Sequence, residues 1–256
     1  MARPREAPLA CLARLGRQPQ VELRAGALAF ARLHGDSGGL DRLDRLAAAL
    51  DPGGGVGQLT ETLGRWRLDD DGCAQLPAAL ANGAGCATTL GLMWLEVARL
   101  LGWPAEILPF PGAAPVRLTD GLGARVVVDP AGGGRVLEAS ELRALLKAAS
   151  GPAAEMRPVL FSGLSNRAIL IRQQDELKMK ALLDGSIGAA VAVVEGVLAF
   201  APDQAPLWRE AGMMHLRLDH KAEAIAALEQ FVARSANTAA RRRTQQLLHD
   251  LRARLP

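Results

Sequence analysis

The sequence predicts an α+β fold for the N-terminal part, with helices and a small antiparallel sheet, joined to an all-α C-terminal part. Three observations carry that expectation. From residue 21 to 101, apolar side chains recur every three or four positions, as on helices that bury one face. From 105 to 129 the spacing turns to alternation, with Asp120-Gly121 and Gly123 as turn formers, which suits short strands. From 171 onward a 34-residue period takes over, the mark of stacked helix pairs.

The elements follow in order. Residues 1–20 are rich in Arg and Pro without a clear period, and are expected to fray or lie over the surface. Leu23, Ala27, Phe30, Ala31 and Leu33 share one helical face, which His34-Gly35 ends. Leu40, Leu43, Leu46, Ala47 and Leu50 form a second amphipathic set, broken by Asp51-Pro52 and the glycines that follow. The PGGGVG segment follows a helix and lacks a closing Gly-Lys-Ser/Thr, so it reads as a flexible connector rather than a phosphate loop. A short helix is expected over 59–68. A solvated charged turn is expected over 69–71, since its aspartates lack the spacing and closing glutamate of a calcium loop. Residues 76–80 lead into the next helix.

The stretch 83–104, GAGCATTLGLMWLEVARLLGWP, organises the first half. Leu90, Met93, Trp94, Val97, Leu100 and Leu101 define an apolar helical face, Glu96 and Arg99 fall on the other side, and Gly102 with Pro104 stops the helix. Cys86 sits at its start behind two glycines. Free backbone N–H groups and the helix dipole favour a thiolate there. A single cysteine at that place also reads as a small, inert, buried hydrophobe. Strands are expected over 105–110, 116–118 and 125–129, with Pro115 at an edge or bulge. Ser140 and Glu141 begin a helix that continues through Leu146. The boundary falls near 151–158, giving a first domain over 1–150, a linker over 151–165 and a helical repeat domain over 166–256.

In the C-terminal part, Trp208, Gly212, Ala224 and Leu228 occupy the Trp, Gly, Ala and Phe positions of a tetratricopeptide repeat. Ala190 lies one period before Ala224, and Pro202 falls where a repeat ends, so 171–204 reads as a degenerate preceding copy. A terminal helix is expected over 238–255. Repeat modules of this kind bind peptides or cap a neighbouring domain.

Composition narrows the function classes. The chain has 256 residues, is 49 % hydrophobic and 22 % charged, and so can bury a real core. It has no tyrosine and few aromatics, so Ala, Leu and Val must fill that core. The net charge is +3 and the one dense basic run, Arg241-Arg242-Arg243, reads as a solvated helix face; no nucleic-acid partner is expected. No apolar run approaches the ~18 residues of a membrane span. Leu9-Ala10-Cys11 lacks the apolar segment of a lipoprotein signal, and a cytoplasmic location is expected. Cys11, Cys73 and Cys86 form no CxxC pair, so neither a disulfide framework nor a metal site is expected, and no cofactor.

Gly85-Cys86 opening an apolar helix, then LGWPAEILPFPG, APVRL and VVVDPAGGG, resembles in order and spacing the transglutaminase-like domain of the SirB1 family. The resemblance covers roughly 20–140, and the tetratricopeptide-like half extends it. Family members carry a Gly-x-Pro or Gly-Cys helix start, a Pro-Gly-His-Phe segment followed by Val-Arg, and an Asp-Pro at the end of the next strand. The resemblance implies a papain-like site with a cysteine nucleophile, a histidine base and an orienting acid. Cys86 matches the nucleophile and Asp129 the acid. The histidine position falls on Ala113, which has no group to move a proton. Of the four histidines only His34 lies in the first half, where it follows a helix C-terminus.

The leading expectation is therefore a non-catalytic member of this family, acting as a bacterial interaction or accessory protein with a protein or peptide partner. The alternative is a cysteine-dependent amide hydrolase or acyltransferase, forming a thioester at Cys86 with a substrate group, water or His34 as base. A third reading is a peptide-binding repeat protein with the first domain as scaffold. Loss of a general base costs about 10² to 10⁴ in rate.

Overall fold

The computed structural model describes residues 6–69 and 73–253. It divides into two compact units, one of 20–176 and one built from the described parts of 1–19 and 177–256. The expected bounds at 150 and 166 do not follow this division. Residues 151–165 pack within the first unit, through Ala154, Met156 and Leu160 against Leu108, Phe110, Leu142 and Leu146.

In the first unit, α2 (Leu23–Leu33), α3 (Asp41–Ala48), α4 (Val56–Leu63) and α5 (Leu76–Asn82) precede the central helix α6 (Ala87–Leu100). Glu22 caps α2 by accepting from the N–H groups of Arg24 and Ala25. The whole predicted face of α2 is buried, as are Leu40, Leu43 and Ala47 of the second set. Arg67–Leu68, expected to be helical, instead form β1, which pairs in parallel with β2 (Ala84–Gly85). Of the charged turn expected over 69–71, Asp70 and Asp71 lie outside the described residues.

The sheet is antiparallel, in the order β3 (Ala105–Ile107), β4 (Val116–Thr119), β5 (Arg125–Asp129), β6 (Arg135–Val136). β4 is paired on both sides, so Pro115 marks neither an edge strand nor a bulge. It sits one residue before the strand, where its missing N–H costs no ladder bond, and its carbonyl accepts from Leu108 N. Glu106 and Arg117, directly opposite on β3 and β4, form an ion pair. Leu164 N donates to Ile107 O at 2.9 Å, covering part of the outer edge of β3. Next comes α7 (Ala139–Ser150), started by a Glu138/Glu141 capping box.

The glycine-rich segment is tied down rather than free. Trp103 Nε1 donates to Pro52 O at 2.7 Å and Gly121 N to Gly54 O at 3.0 Å. Asp120, read only as a turn former, is buried and accepts from Val56 N (2.9 Å), Leu122 N (3.1 Å) and Ala124 N (2.8 Å). One carboxylate thus holds both the β4–β5 turn and the start of α4.

α6 is buried nearly all round, from Thr88 to Ala98. Glu96, read as lying opposite the apolar face, is only 6 % exposed, whereas Leu100, read on that face, is 43 % exposed. Burial raises the Glu96 carboxyl above its usual range, opposed by Arg99 at 3.6 Å and by Arg24, with Glu22 adding to the rise. A raised folded value means stability that is fully present below the unfolded value and lost as pH climbs through the folded one. Glu96→Gln should therefore melt with the native protein near pH 4 and above it at pH 7, as followed by circular dichroism. A lower melting temperature at pH 7 would show that the arginines outweigh the burial cost.

In the second unit, the described part of 1–19 includes a helix. Glu6–Gly16 form α1, with Leu12 and Leu15 buried, and this helix packs on α9 (Ile187–Phe200). Pro8, inside the first turn of this helix, hid its period. Helix α8 (Asn166–Leu183) crosses the division between the units. It is followed by α9 (Ile187–Phe200), α10 (Ala205–Arg217), α11 (Lys221–Arg234) and α12 (Thr238–Ala253). α9 and α11 are offset by 34 residues at both ends, the predicted period. Ala190, Ala224 and Leu228 are fully buried. Gly212 faces Leu228, and Trp208 Nε1 donates to Pro202 O at 2.9 Å. No helix among the described residues is long and apolar enough to cross a membrane.

Candidate active site

Cys86 is the N-cap residue of α6, in extended conformation, as the sequence implied. The short β1–β2 pairing delivers the chain to this point in extended form. What surrounds the thiol was not legible. Its Sγ lies 3.1 Å from Thr89 Oγ1, and that oxygen also contacts Ala74 O at 3.1 Å and Gln173 Nε2 at 3.0 Å. Cys73, Cys86 and Glu176 place their ligand atoms within 4.8 Å of one another.

The helix N-terminus is already occupied by an anion. Glu176 Oε2 accepts from Thr88 N at 3.0 Å, and Oε1 accepts from Thr88 Oγ1. The positive end of the α6 dipole is thus met by a carboxylate rather than by the sulfur. Hydrogen bonding with Cys73, then burial, then the Glu176 charge push the Cys86 thiol well above its ordinary value, and only the Thr89 hydroxyl pulls the other way. The groups that act on Cys86 favour the thiol.

Ala113 lies in the loop before β4. Its methyl packs on the apolar group of Leu108, Phe110, Leu137, Leu142 and Leu146. Its carbonyl accepts from Arg172 Nη2 at 2.5 Å, and Phe110 O accepts from the same nitrogen at 2.6 Å. Arg172 Nε stands 3.7 Å from Glu176 Oε1. A chain of contacts therefore joins the Ala113 loop, through Arg172 and Glu176, to the start of α6. Asp129 closes β5, is 8 % exposed, and faces Arg135 across the β5–β6 pair, Oδ2 to Nε at 3.6 Å. Its charged partner is a guanidinium on the next strand. His34, the one histidine of this half, closes α2 as its C-cap.

Sequence reading missed Cys73 as a neighbour of Cys86, and missed Arg172, Gln173 and Glu176 altogether. No local spacing could reveal them, since Thr88 and Glu176 are 88 residues apart.

Comparisons with known proteins agree with this architecture. Residues 67–175 match the transglutaminase-like superfamily and residues 177–249 the tetratricopeptide repeat. A UPF0162 protein of Xylella fastidiosa (strain Temecula1) is 31 % identical over 153 residues, covering 58 % of this chain and 53 % of that protein. Protein SirB1 of Salmonella typhimurium is 26 % identical over 173 residues, covering 68 % and 63 % respectively. The UPF0162 protein YchA of Escherichia coli K12 is 27 % identical over 169 residues, covering 66 % and 62 %. The match thus spans between half and two thirds of the length of these relatives. No solved structure matches the chain significantly.

Proposed function

We propose that this chain, which is similar to SirB1 and UPF0162 proteins and has a transglutaminase-like region followed by tetratricopeptide repeats, is a non-catalytic member of the SirB1/UPF0162 family, acting in the bacterial cytoplasm as an interaction or accessory protein. The observation that carries this reading is Ala113. At the position where the family has an imidazole, this chain has a methyl group packed on apolar side chains. The surroundings of Cys86 support it, because a neighbouring thiol and a carboxylate both oppose ionisation. In this reading Cys86 and Asp129 are the retained ends of a relay that has lost its middle. The helix pairs of the C-terminal unit are the element through which a protein or peptide partner is engaged, since stacked repeats present extended surfaces to peptides.

The rival reading, a working amide hydrolase or acyltransferase, has the N-cap position of Cys86 in its favour. Alkylation separates the two. Metal-stripped, reduced protein is treated with iodoacetamide between pH 6 and 9, and the Cys86 peptide is quantified by mass spectrometry. Native Cys86 is expected to react at pH 7 no faster than an ordinary thiol. Ala113→His, which restores the base, is expected to raise the neutral-pH rate about tenfold or more, the low end of what a positioned base supplies. Native Cys86 reacting as a thiolate at pH 6 would overturn the non-catalytic reading.

A further inference from the structure

We propose that Cys73, Cys86 and Glu176 form a binding site for a divalent cation of the zinc class, with three protein ligands and one open position. Two thiols and one carboxylate converge from three separate stretches of chain, their ligand atoms within 4.8 Å of one another. With a Zn–S bond of about 2.3 Å, two sulfurs on one tetrahedral ion sit about 3.8 Å apart. Side-chain rotation closes the difference without moving the backbone elements.

The donor set points to a particular class of ion. Two sulfurs exclude calcium and magnesium, which take oxygen, and select zinc or a similar soft to borderline cation. Charge balances: M²⁺ with two thiols and one carboxylate gives an anionic centre and two released protons. Arg172, 3.7 Å from Glu176, stands where it offsets the remaining negative charge.

The ligands are also held from outside, as metal ligands are. Glu176 is oriented by both the N–H and the hydroxyl of Thr88. Cys86 is oriented by Thr89, whose hydroxyl also reaches the carbonyl of Ala74, next to Cys73. One hydroxyl therefore ties the two cysteine segments together. Gln173 supports Thr89 through Nε2, yet its Oε1 is buried and has no partner among the described residues. An unpaired acceptor at the rim of a three-ligand centre is what a coordinated water in the fourth position requires.

The test uses the full chain, reduced and stripped with a chelator, titrated with Co²⁺ and then with Zn²⁺. The expected result is one Co²⁺ per chain, taken up with release of two protons, with a thiolate-to-cobalt charge-transfer band and the visible bands of tetrahedral cobalt, all lost when Zn²⁺ displaces the cobalt. Cys73→Ser, Cys86→Ser and Glu176→Gln should each weaken binding at least tenfold, and Cys11→Ser should leave it unchanged. Absence of the charge-transfer band in reduced native protein overturns the proposal, whether or not any variant folds. So does a Co²⁺ affinity in Cys73→Ser equal to that of the native protein. A Cys73–Cys86 disulfide in reoxidised protein, with no cobalt taken up by the reduced form, assigns the pair to redox chemistry instead. None of these outcomes touches the reading of Ala113, which the alkylation experiment decides separately.

Discussion

Gly91→Val is expected to destabilise the 20–176 unit by about 3 kcal/mol, the upper part of the range for overpacking a tight core. Gly91 lies in the middle of α6, and a Cβ added there would meet Ala114 O at 2.9 Å and Ala114 Cβ at 3.0 Å, with Ile107 Cδ1 at 3.5 Å. The first of these is backbone and cannot swing away. Removing a mid-helix glycine by itself favours the helix by about 0.5–1 kcal/mol, so the clash must exceed that gain. Gly188, on an exposed part of α9 with nothing within 4 Å of an added Cβ, supplies the control. Gly188→Ala should stabilise its own unit by about 0.5–1 kcal/mol. Denaturant unfolding, with hydrogen exchange on α6 and α9 amides to assign each effect to a unit, measures both. A neutral Gly91→Val would mean that the 113–116 loop gives way freely. The position matters for the site, because this contact sets how closely the helix bearing Cys86 meets the loop bearing Ala113.

Much of this arrangement was legible because it is written locally. The face of α2, the strand at Arg125–Asp129 and the 34-residue offset of the repeat helices are periodicities, and periodicity survives in a single sequence. Cys86 at a helix start follows from the two glycines before it. The misreadings share a cause. Glu96 was read only as lying opposite the apolar stripe, but α6 is buried nearly all round, and Arg99 and Arg24 act on its carboxyl. The glycine-rich segment was read as free because nothing in it announces the turn at Asp120 that holds it, 64 residues away from Val56. The convergence of Cys73, Cys86 and Glu176 depends on the chain returning from α8 to the start of α6. A spacing rule built for ligands a few residues apart has no means of seeing it.

In the repeat unit the largest effect is expected at Leu228, and the form of that effect tests the repeat geometry itself. Leu228 is fully buried, and Leu228→Ala should cost about 2–5 kcal/mol, the usual range for emptying a core leucine site. Gly212 stands opposite: a Cβ there would lie 2.6 Å from Leu228 Cγ and 2.8 Å from Cδ2, with Ala224 O at 3.2 Å. Gly212→Ala alone should therefore cost about 1–3 kcal/mol, since the crowded leucine has no empty space to enter. Combined, the two changes relieve each other, because the new methyl enters the space that Leu228→Ala vacates. The double variant should be more stable than the sum of the singles by about 1 kcal/mol or more, a coupling that only residues in direct contact show. Hydrogen exchange on α10 and α11 amides gives the three differences without interference from the other unit. Strict additivity would sink the assignment of Gly212 and Leu228 as the facing small and large positions of one tetratricopeptide pair.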